Sequence, residues 1–338
     1  MPGCGSAAAR GGGRAAPAAE RVFAYGATLG LLADRLFGDP RRGHPVAAFG
    51  RAAEAVERAL WRDHRGRGAL HTALCAGAAA GTAALAAAAV RERPAAAVTL
   101  TAAATWAVVG GTSLGREARA VGAALAAGDL EGARGRLPHL CGRDPYSLDE
   151  GQIARAVVES VAENTSDAVV GALVWGALAG TPGLVGFRAV NTLDAMVGHK
   201  SARYRRFGWA SARLDDVVGW PGARLTAALA VAAGPDRRGA LRALRQDAHR
   251  HPSPNAGPVE ASFAGALGVR LGGTLAYGGR VEHRPVLNGT GRPVGVPDIE
   301  RAVRLAGRVN VLALAACVTG RVVYGAVRAA AARDGRRG

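Results

Sequence analysis

Lysine is almost absent from this sequence. Of the 43 lysine and arginine residues among 338, only Lys200 is a lysine. Arginine has a rigid, planar guanidinium group that keeps its proton, whereas lysine has a compact ammonium group that can lose its proton when it is buried. Lys200 is therefore either a chance survivor on a basic surface or a point cation that holds a phosphate oxygen. The residue by itself does not decide between the two.

Cysteine and aromatic residues are also scarce. The four cysteines lie far apart without a CxxC pair, which argues against a zinc site or a disulfide framework and indicates reduced thiols in a cytosol-facing protein. Aromatic residues make up 5% of the chain, and no motif that reads nucleic acid is present. The net charge of +17 therefore favours membrane lipid or a polyanionic substrate as partner, and no nucleic acid.

Long apolar segments rich in alanine predict an all-α, multi-pass integral membrane protein. Residues 69–90 and 95–114 are each about long enough to cross a bilayer, and the polar turn "RERP" between them predicts a membrane hairpin. The alternative is a pair of buried helices in a soluble bundle. Arginine-rich segments on both sides of this hairpin mark the face that they share as cytoplasmic.

Two further apolar segments are less regular. Residues 168–187 contain "GTPG" and precede a run of cations, so a single crossing would violate the positive-inside rule; we expect a broken or re-entrant segment. Residues 311–319 are short and predict an anchor or a weak span. Residues 1–19 predict a disordered leader, followed by one membrane-embedded helical domain over residues 20–338.

An acidic stripe precedes the broken segment. Glu159, Glu163 and Asp167 recur every four residues, which places them within an arc of roughly 80° on one helix. A solvated acidic face is the ordinary interpretation of such a stripe. In a basic chain, at the edge of an apolar segment, we favour carboxylates that organise Mg²⁺, with Asn164 nearby.

Four other polar clusters stand out. The stretch "DRLFGDPRRGHPV" presents carboxylates and His44 from a loop held extended by prolines, and "HRHPSPNAGPVE" predicts a binding loop shaped by prolines. Asn191 and Asp194 share one helical face that ends at a glycine before Lys200. Of the adjacent pair Asp215 and Asp216, one can bind metal while the other pairs with an arginine. The clusters include Asp34, Asp39, His249, His251, Asn255 and Glu260.

These clusters, in this order, resemble one family. Its members are the adenosylcobinamide-phosphate synthases, the cobinamide synthases of cobalamin biosynthesis. The resemblance rests on "GDPRRGHPV", "RDPYSL", "VVESVAENTSDAVV", "NTLDAMVGHKSARYRRFG", "ARLDDVVGWPGARLTA" and "HPSPNAGPVEASFAGALGVRLGG". It implies a multi-pass inner-membrane ligase that joins aminopropanol, or its phosphate, to the propionate carboxyl of adenosylcobyric acid with ATP and Mg²⁺. Lys200 then lies within a motif, "TLDAMVGHK".

The implied reaction suggests roles for the polar residues. Activating a carboxylate by phosphoryl transfer requires metal and cations that spread phosphate charge, and the amine needs a base. We assign catalysis to His44 as base, Lys200 and Glu163. We assign phosphate and corrinoid binding to Arg143, Arg203, Asn164, Asn191 and Asn255. We assign metal organisation to Glu159, Glu163, Asp167, Asp194, Asp215 and Asp216.

Two alternative functions stay open on the sequence. A transporter or permease would also place carboxylates beside an apolar segment broken by proline and glycine. A basic membrane scaffold that gathers other enzymes of the corrinoid pathway is the second. Against a transporter, no paired inverted repeat is visible and most polar motifs fall between the apolar segments.

Overall fold

The protein is a bundle of helices with one small sheet. The computed structural model describes residues 19–39, 43–199, 201–277 and 280–334. Within them the helices are α1 (Ala19–Phe37), α2 (Pro45–Leu60), α3 (Arg65–Val90), α4 (Pro94–Val108), α5 (Gly111–Ala126), α6 (Leu130–Arg136), α7 (Glu150–Asn164), α8 (Gly171–Leu193), α9 (Trp209–Ala233), α10 (Arg237–Asp247), α11 (Ala256–Leu267) and α12 (Pro297–Asp334). Strands β1 (Leu271–Tyr277) and β2 (Arg280–Leu287) form an antiparallel pair.

Four helical stretches in the described residues are long and apolar enough to cross a membrane. They are Arg65–Val90, Pro94–Ala126, Glu150–Gly198 and Pro297–Arg328. The first two agree with the predicted pair of spans, although the second predicted segment, residues 95–114, is interrupted between Val108, where α4 ends, and Gly111, where α5 begins. Pro94 lies in the first turn of α4, where its missing N–H is not needed. The protein is thus an all-α, multi-pass membrane protein. The segment 311–319, predicted as an anchor or weak span, lies inside α12, which is much longer than the sequence indicated.

The third stretch is broken where the sequence predicted. Gly180 has φ 67° and ψ −151°, a conformation open to glycine, and the helix reverses direction there. Phe187 packs against Gly171, and Leu184 packs against Gly176. These pairs show two antiparallel arms, residues 150–179 and residues 181–198, which we call the Gly180 hairpin. Both polar ends of the hairpin therefore lie on the same side of the bundle.

Each arm of the Gly180 hairpin contains one π-helical turn. The turns are Thr165–Val170 in the first arm and Asp194–Gly198 in the second. A π-helical turn inserts an extra residue into the helical repeat, and such turns are frequent at functional sites. Each turn here carries one carboxylate of the predicted site. The second turn ends the helix at Gly198, as the sequence predicted, because His199 is extended.

Small residues set the distance between α1 and α4. Gly26 and Gly30, one helical turn apart, lie against Thr101 and Thr105 of α4. A Cβ on Gly26 would lie 2.5 Å from Thr101 Cβ. In a bilayer, helices associate mainly through such close packing, because lipid tails are as apolar as the side chains.

The β-hairpin is an addition that the sequence analysis did not predict. Gly272 and Gly273 have φ of +77° and +85° at an irregularity in the register between Leu271 and Gly273. This left-handed backbone is readily available only to glycine. It turns the Gly272 N–H toward α7, where it donates to Glu159 Oε1 over 2.7 Å.

One contiguous hydrophobic core joins α1, α5, α7, α8, α11 and α12, from Phe23 to Cys317. Cys75, Cys141 and Cys317 are free thiols, in agreement with the sequence analysis. The predicted leader over residues 1–19 lies, except for Ala19, outside the described residues.

We expect Gly26→Val to destabilise the protein by about 1–3 kcal/mol, because the larger side chain separates α1 from α4. The thermal unfolding midpoint of the detergent-solubilised protein measures this. Gly81→Val is the matched control, since a Cβ on this helical glycine of α3 would meet nothing within 4 Å. Equal midpoints for the two variants would contradict the packing argument.

Candidate functional site

Carboxylates from three segments converge at the polar end of the Gly180 hairpin. Glu163 lies on α7, Asp167 and Asp194 lie in the two π-helical turns, and Asp215 lies on α9. Asp167 is within electrostatic range of the other three. Because the hairpin folds at Gly180, residues 167 and 194 stand at matching depths on its two arms. The structure thus places four of the predicted metal ligands within electrostatic range of one another.

Glu163 connects this group to a second one. It is solvent-accessible, although many protein atoms surround it. It is within electrostatic range of Asp194 and Asp215 on one side and of Arg143 and Arg284 on the other. Charges at such depth are costly in a membrane protein and are retained mainly where they serve a function.

The second group is centred on a buried ion pair. Arg143 Nη2 donates to Glu159 Oε2, and both side chains are about 95% buried. The other oxygen, Glu159 Oε1, accepts the Gly272 N–H, and Arg155 Nε lies 3.9 Å from it. Glu159 and Arg143, predicted as a metal ligand and a phosphate-binding residue, therefore neutralise each other here. Their predicted roles stay predictions.

His251 and Glu260 complete the second group. His251 Nε2 lies 3.8 Å from Glu260 Oε1, and both side chains are 4% exposed. Burial, together with the charges of Glu159 and Glu163, raises the pKa of Glu260 well above its usual range, while burial lowers the pKa of His251. Both pKa shifts favour the uncharged form of the side chain. The sequence analysis named both residues in a binding loop without giving them a role.

Arg188 and Arg284 are site residues that the sequence analysis missed. Arg188 is within electrostatic range of Asp39 and Asp167, and Arg284 of Glu163 and Glu260. A signal for Arg188 was available, because it is the only charged residue between Asp167 and Asp194. Arg284 gave none, since it is one of many scattered arginines and reaches the site through the β-hairpin.

A polar cavity of about 300 Å³ adjoins the carboxylates. Its lining includes Arg188, Asn164, Asp39, Glu117 and His139. The Asn164 amide donates to the Ser160 carbonyl over 2.9 Å, which leaves its side-chain oxygen able to accept from a ligand. Groups of both signs in one cavity suit a ligand that carries both charge and hydrogen-bonding groups.

Asp215 and Asp216 behave differently, as the sequence analysis expected of adjacent helical residues. Asn191 Nδ2 is 3.5 Å from Asp215 Oδ1, and Arg213 Nη1 is 3.4 Å from Asp216 Oδ2. Burial and the neighbouring Asp194 raise the pKa of Asp215 to about 7. Asp215 thus faces the site, while Asp216 pairs with an arginine and also lies within electrostatic range of Asp194.

Three predicted residues lie away from the carboxylates. His44 caps α2, with Nδ1 accepting the Val46 N–H over 3.1 Å; the neutral ring then holds its proton on Nε2, 4.0 Å from Asp39 Oδ2. Arg203 lies on the surface, 3.0 Å from Glu57. Asn255 joins its loop to α9 by donating to the Asp216 carbonyl over 3.0 Å. Their proposed functions stay predictions, and Lys200 lies outside the described residues.

The donor atoms of the site limit how a metal ion could bind. Among the described residues, no three His, Cys, Asp or Glu side chains converge closely enough to hold a metal ion. Mg²⁺ is usually held by one or two carboxylates together with the phosphates of a substrate. Asp167 and Asp194 have the donor chemistry for this mode of binding, so the residues fit an ion that is bound jointly with a phosphorylated ligand.

Comparison with known proteins agrees with the arrangement of these motifs. A family profile for CobD/Cbib proteins matches residues 27–306. The chain belongs to the CobD/Cbib family. The cobalamin biosynthesis protein CobD of Mycobacterium tuberculosis (strain H37Rv) is 52% identical over 289 residues, 84% of this chain and 91% of the relative.

More distant relatives cover the chain equally well. The proteins named cobalamin biosynthesis protein CobD in Chromobacterium violaceum and Rhodobacter capsulatus are 44% and 43% identical. They align over 89% and 86% of this chain and over 97% and 93% of their own lengths. No solved structure matches the chain. The part matched to the CobD/Cbib family contains every candidate site residue, and it extends over the Gly180 hairpin.

We expect Glu159→Gln to destabilise the protein by about 3–5 kcal/mol, because it removes the counter-charge of buried Arg143. Urea or thermal unfolding of the solubilised protein measures the loss. Glu54→Gln is the control: its partner Arg58 is 2.9 Å away, both side chains are more than half exposed, and about 1 kcal/mol or less is expected. A loss for Glu159→Gln as small as that of the control would refute the buried-pair argument.

Asp215 should make stability depend on pH. Its carboxyl has an ordinary pKa of 3.8 in an unfolded chain and about 7 in the folded protein. Between these pH values the folded state holds a proton that the unfolded state has released. The contribution of Asp215 to the free energy of unfolding is therefore fully present below pH 3.8 and is lost as pH rises through 7. Asp215→Asn should flatten the fall in unfolding midpoint between pH 5 and pH 8; an unchanged profile would show that Asp215 is not the group responsible.

Proposed function

We propose that this protein works in cobalamin biosynthesis as an amide-forming ligase. It joins the amine of aminopropanol, or of its O-phosphate, to the propionate carboxyl of adenosylcobyric acid, and ATP is converted to ADP and phosphate. The proposal is supported by membership of the CobD/Cbib family and by the names of its curated relatives. The finer chemistry rests on the resemblance of its motifs to adenosylcobinamide-phosphate synthases.

One observation carries the chemical part of the proposal. Glu163, Asp167, Asp194 and Asp215 lie together at the polar end of an apolar hairpin. Like charges repel, so this group is stable only with protons or cations among its members. Such an arrangement is what binding a cationic or metal-bound phosphate ligand requires.

Amide formation has two steps with different needs. The carboxylate oxygen first attacks the terminal phosphorus, which gives an acyl phosphate and ADP; amine attack at the acyl carbon then breaks the C–O bond and releases phosphate. Mg²⁺, when bound, neutralises phosphate charge. Asp167 and Asp194 would hold it together with the phosphates, and Arg188 would contribute a fixed positive charge beside them.

The second step needs an acceptor for the proton that the amine loses. His44 is the candidate from the sequence, and to accept at Nδ1 it must release the Val46 N–H. Asp215 is the candidate from the structure, because a carboxyl with a pKa of about 7 is matched to proton transfer at neutral pH. The protein would work in the inner membrane, with the arginine-rich polar end of the bundle toward the cytoplasm.

Reconstitution tests the proposal. The purified protein in lipid nanodiscs, with adenosylcobyric acid, ATP, Mg²⁺ and each amine, should yield the amide product by mass spectrometry. Asp167→Asn should lower kcat by about 100-fold or more, because it removes a charge from the site, while Glu54→Gln should leave kcat unchanged. Corrinoid uptake by vesicles with no ATP-dependent product would instead support the transporter.

A further inference from the structure

A second cavity lies on the other side of α5. It has a volume of about 540 Å³ and is enclosed by α1, α5, α12 and the first arm of the Gly180 hairpin. Its walls are largely aliphatic, including Leu31, Val169 and Leu314. None of the residues assigned to the predicted site lines it. We call it the Asp34 cavity, after the carboxylate inside it.

Asp34 is held in place with one oxygen unused. Its side chain is 6% exposed, and Oδ2 accepts both the Thr112 N–H over 3.0 Å and the Thr112 hydroxyl over 2.9 Å. Oδ1 is buried and has no hydrogen-bond partner among the described residues. Burial raises the pKa of Asp34, which the Thr112 hydrogen bonds partly offset. A buried carboxylate oxygen without a donor costs free energy that a bound donor would recover.

A second acceptor lies beside it. Asn310 Oδ1 on α12 is also buried without a hydrogen-bond partner in the described part of the chain. Gly111 separates the two side chains: a Cβ there would lie 3.2 Å from Asn310 Nδ2, 3.3 Å from Val169 Cγ2 and 3.7 Å from Asp34 Oδ2. The missing side chain at Gly111 therefore leaves space between the side chains of Asp34 and Asn310.

Arginines stand at the rim of the cavity. Arg116 contributes to its lining and lies 3.5 Å from the Phe37 carbonyl, and Arg35 lines it from the exposed end of α1. Arg119 is already paired with Glu300 over 2.7 Å. The cavity thus offers acceptors at its base, an aliphatic wall and cations at its mouth. A ligand that matches all three has an ammonium group, a short carbon skeleton and an anionic group.

We propose that the Asp34 cavity binds a primary ammonium group on Asp34 and Asn310, with a phosphate carried on the same short amino alcohol directed to Arg116. Two sources share this chemistry: a free amino alcohol phosphate and the headgroup of phosphatidylethanolamine. As the binding site of the amine substrate, the assignment rests on the proposed function. The cavity and the carboxylates lie on opposite sides of α5 and the first arm of the Gly180 hairpin, so the amine would bind beside the corrinoid site rather than within it.

Isothermal titration tests the site without turnover. The full-length protein in phosphatidylcholine nanodiscs, with neither ATP nor corrinoid, is titrated with 1-amino-2-propanol, with its O-phosphate and with isopropyl phosphate. Asp34→Asn should weaken both amines by about tenfold or more, because a charge-assisted hydrogen bond is lost, and should leave isopropyl phosphate unchanged. Arg116→Met should weaken only the two phosphates.

Matched variants keep the result decisive. Glu20→Gln makes the same chemical change on the same helix roughly 21 Å away and should not alter the dissociation constants. Gly111→Ala keeps the charge but fills the space, so it should also weaken the amines by about tenfold, and it decides the question if Asp34→Asn does not fold. Unchanged amine affinity in the folded Asp34→Asn and Gly111→Ala variants would overturn the proposal.

Nanodiscs that contain phosphatidylethanolamine separate the two sources. One outcome is that the amines no longer bind in these discs, while native mass spectra show phosphatidylethanolamine retained by the wild-type protein but not by Asp34→Asn. This outcome would support the ammonium site and assign it to the lipid headgroup. Amine binding that persists would assign it to the free amine. Amine binding dependent on Asp34 without any amide product in the reconstituted assay would reject the proposed reaction while supporting the cavity.

Discussion

The reversal of the chain at Gly180 positions most of the candidate site. A helix of 49 residues that crossed straight through the bundle would carry Asp167 and Asp194 roughly 40 Å apart, at 1.5 Å per residue. Because Gly180 adopts a left-handed φ, the second arm returns along the first, with Phe187 against Gly171. The two π-helical turns then face one another, and their carboxylates share one site.

The concentration of negative charge explains the residues around it. Four carboxylates within electrostatic range would destabilise an apolar bundle unless cations or protons compensate. The compensation comes from distant segments: Arg143 precedes α7, Arg188 lies on the second arm, and Arg284 arrives on the β-hairpin. The glycines at the strand irregularity contribute in the same way, because they direct the Gly272 N–H to Glu159. The small sheet is therefore part of the site's support.

The two cavities lie on different faces of α5. On one face, Arg188 and Asn164 adjoin the carboxylates. On the other face, Asp34 is hydrogen-bonded to the first turn of α5, where backbone N–H groups and the helix dipole favour an anion. Leu114 lines both cavities.

The sequence by itself determined the helical class, the first membrane hairpin, the break at "GTPG", the family and most of the carboxylates, because each is a local pattern of length, periodicity or motif. It also predicted that Asp215 and Asp216 would diverge, since adjacent helical residues point about 100° apart. Only the tertiary structure decided that Glu159 is neutralised by Arg143, that Arg284 joins the site, and that Asp34 has an unused oxygen. These depend on contacts between segments far apart in the chain, and no local pattern specifies which of 42 arginines meets which carboxylate.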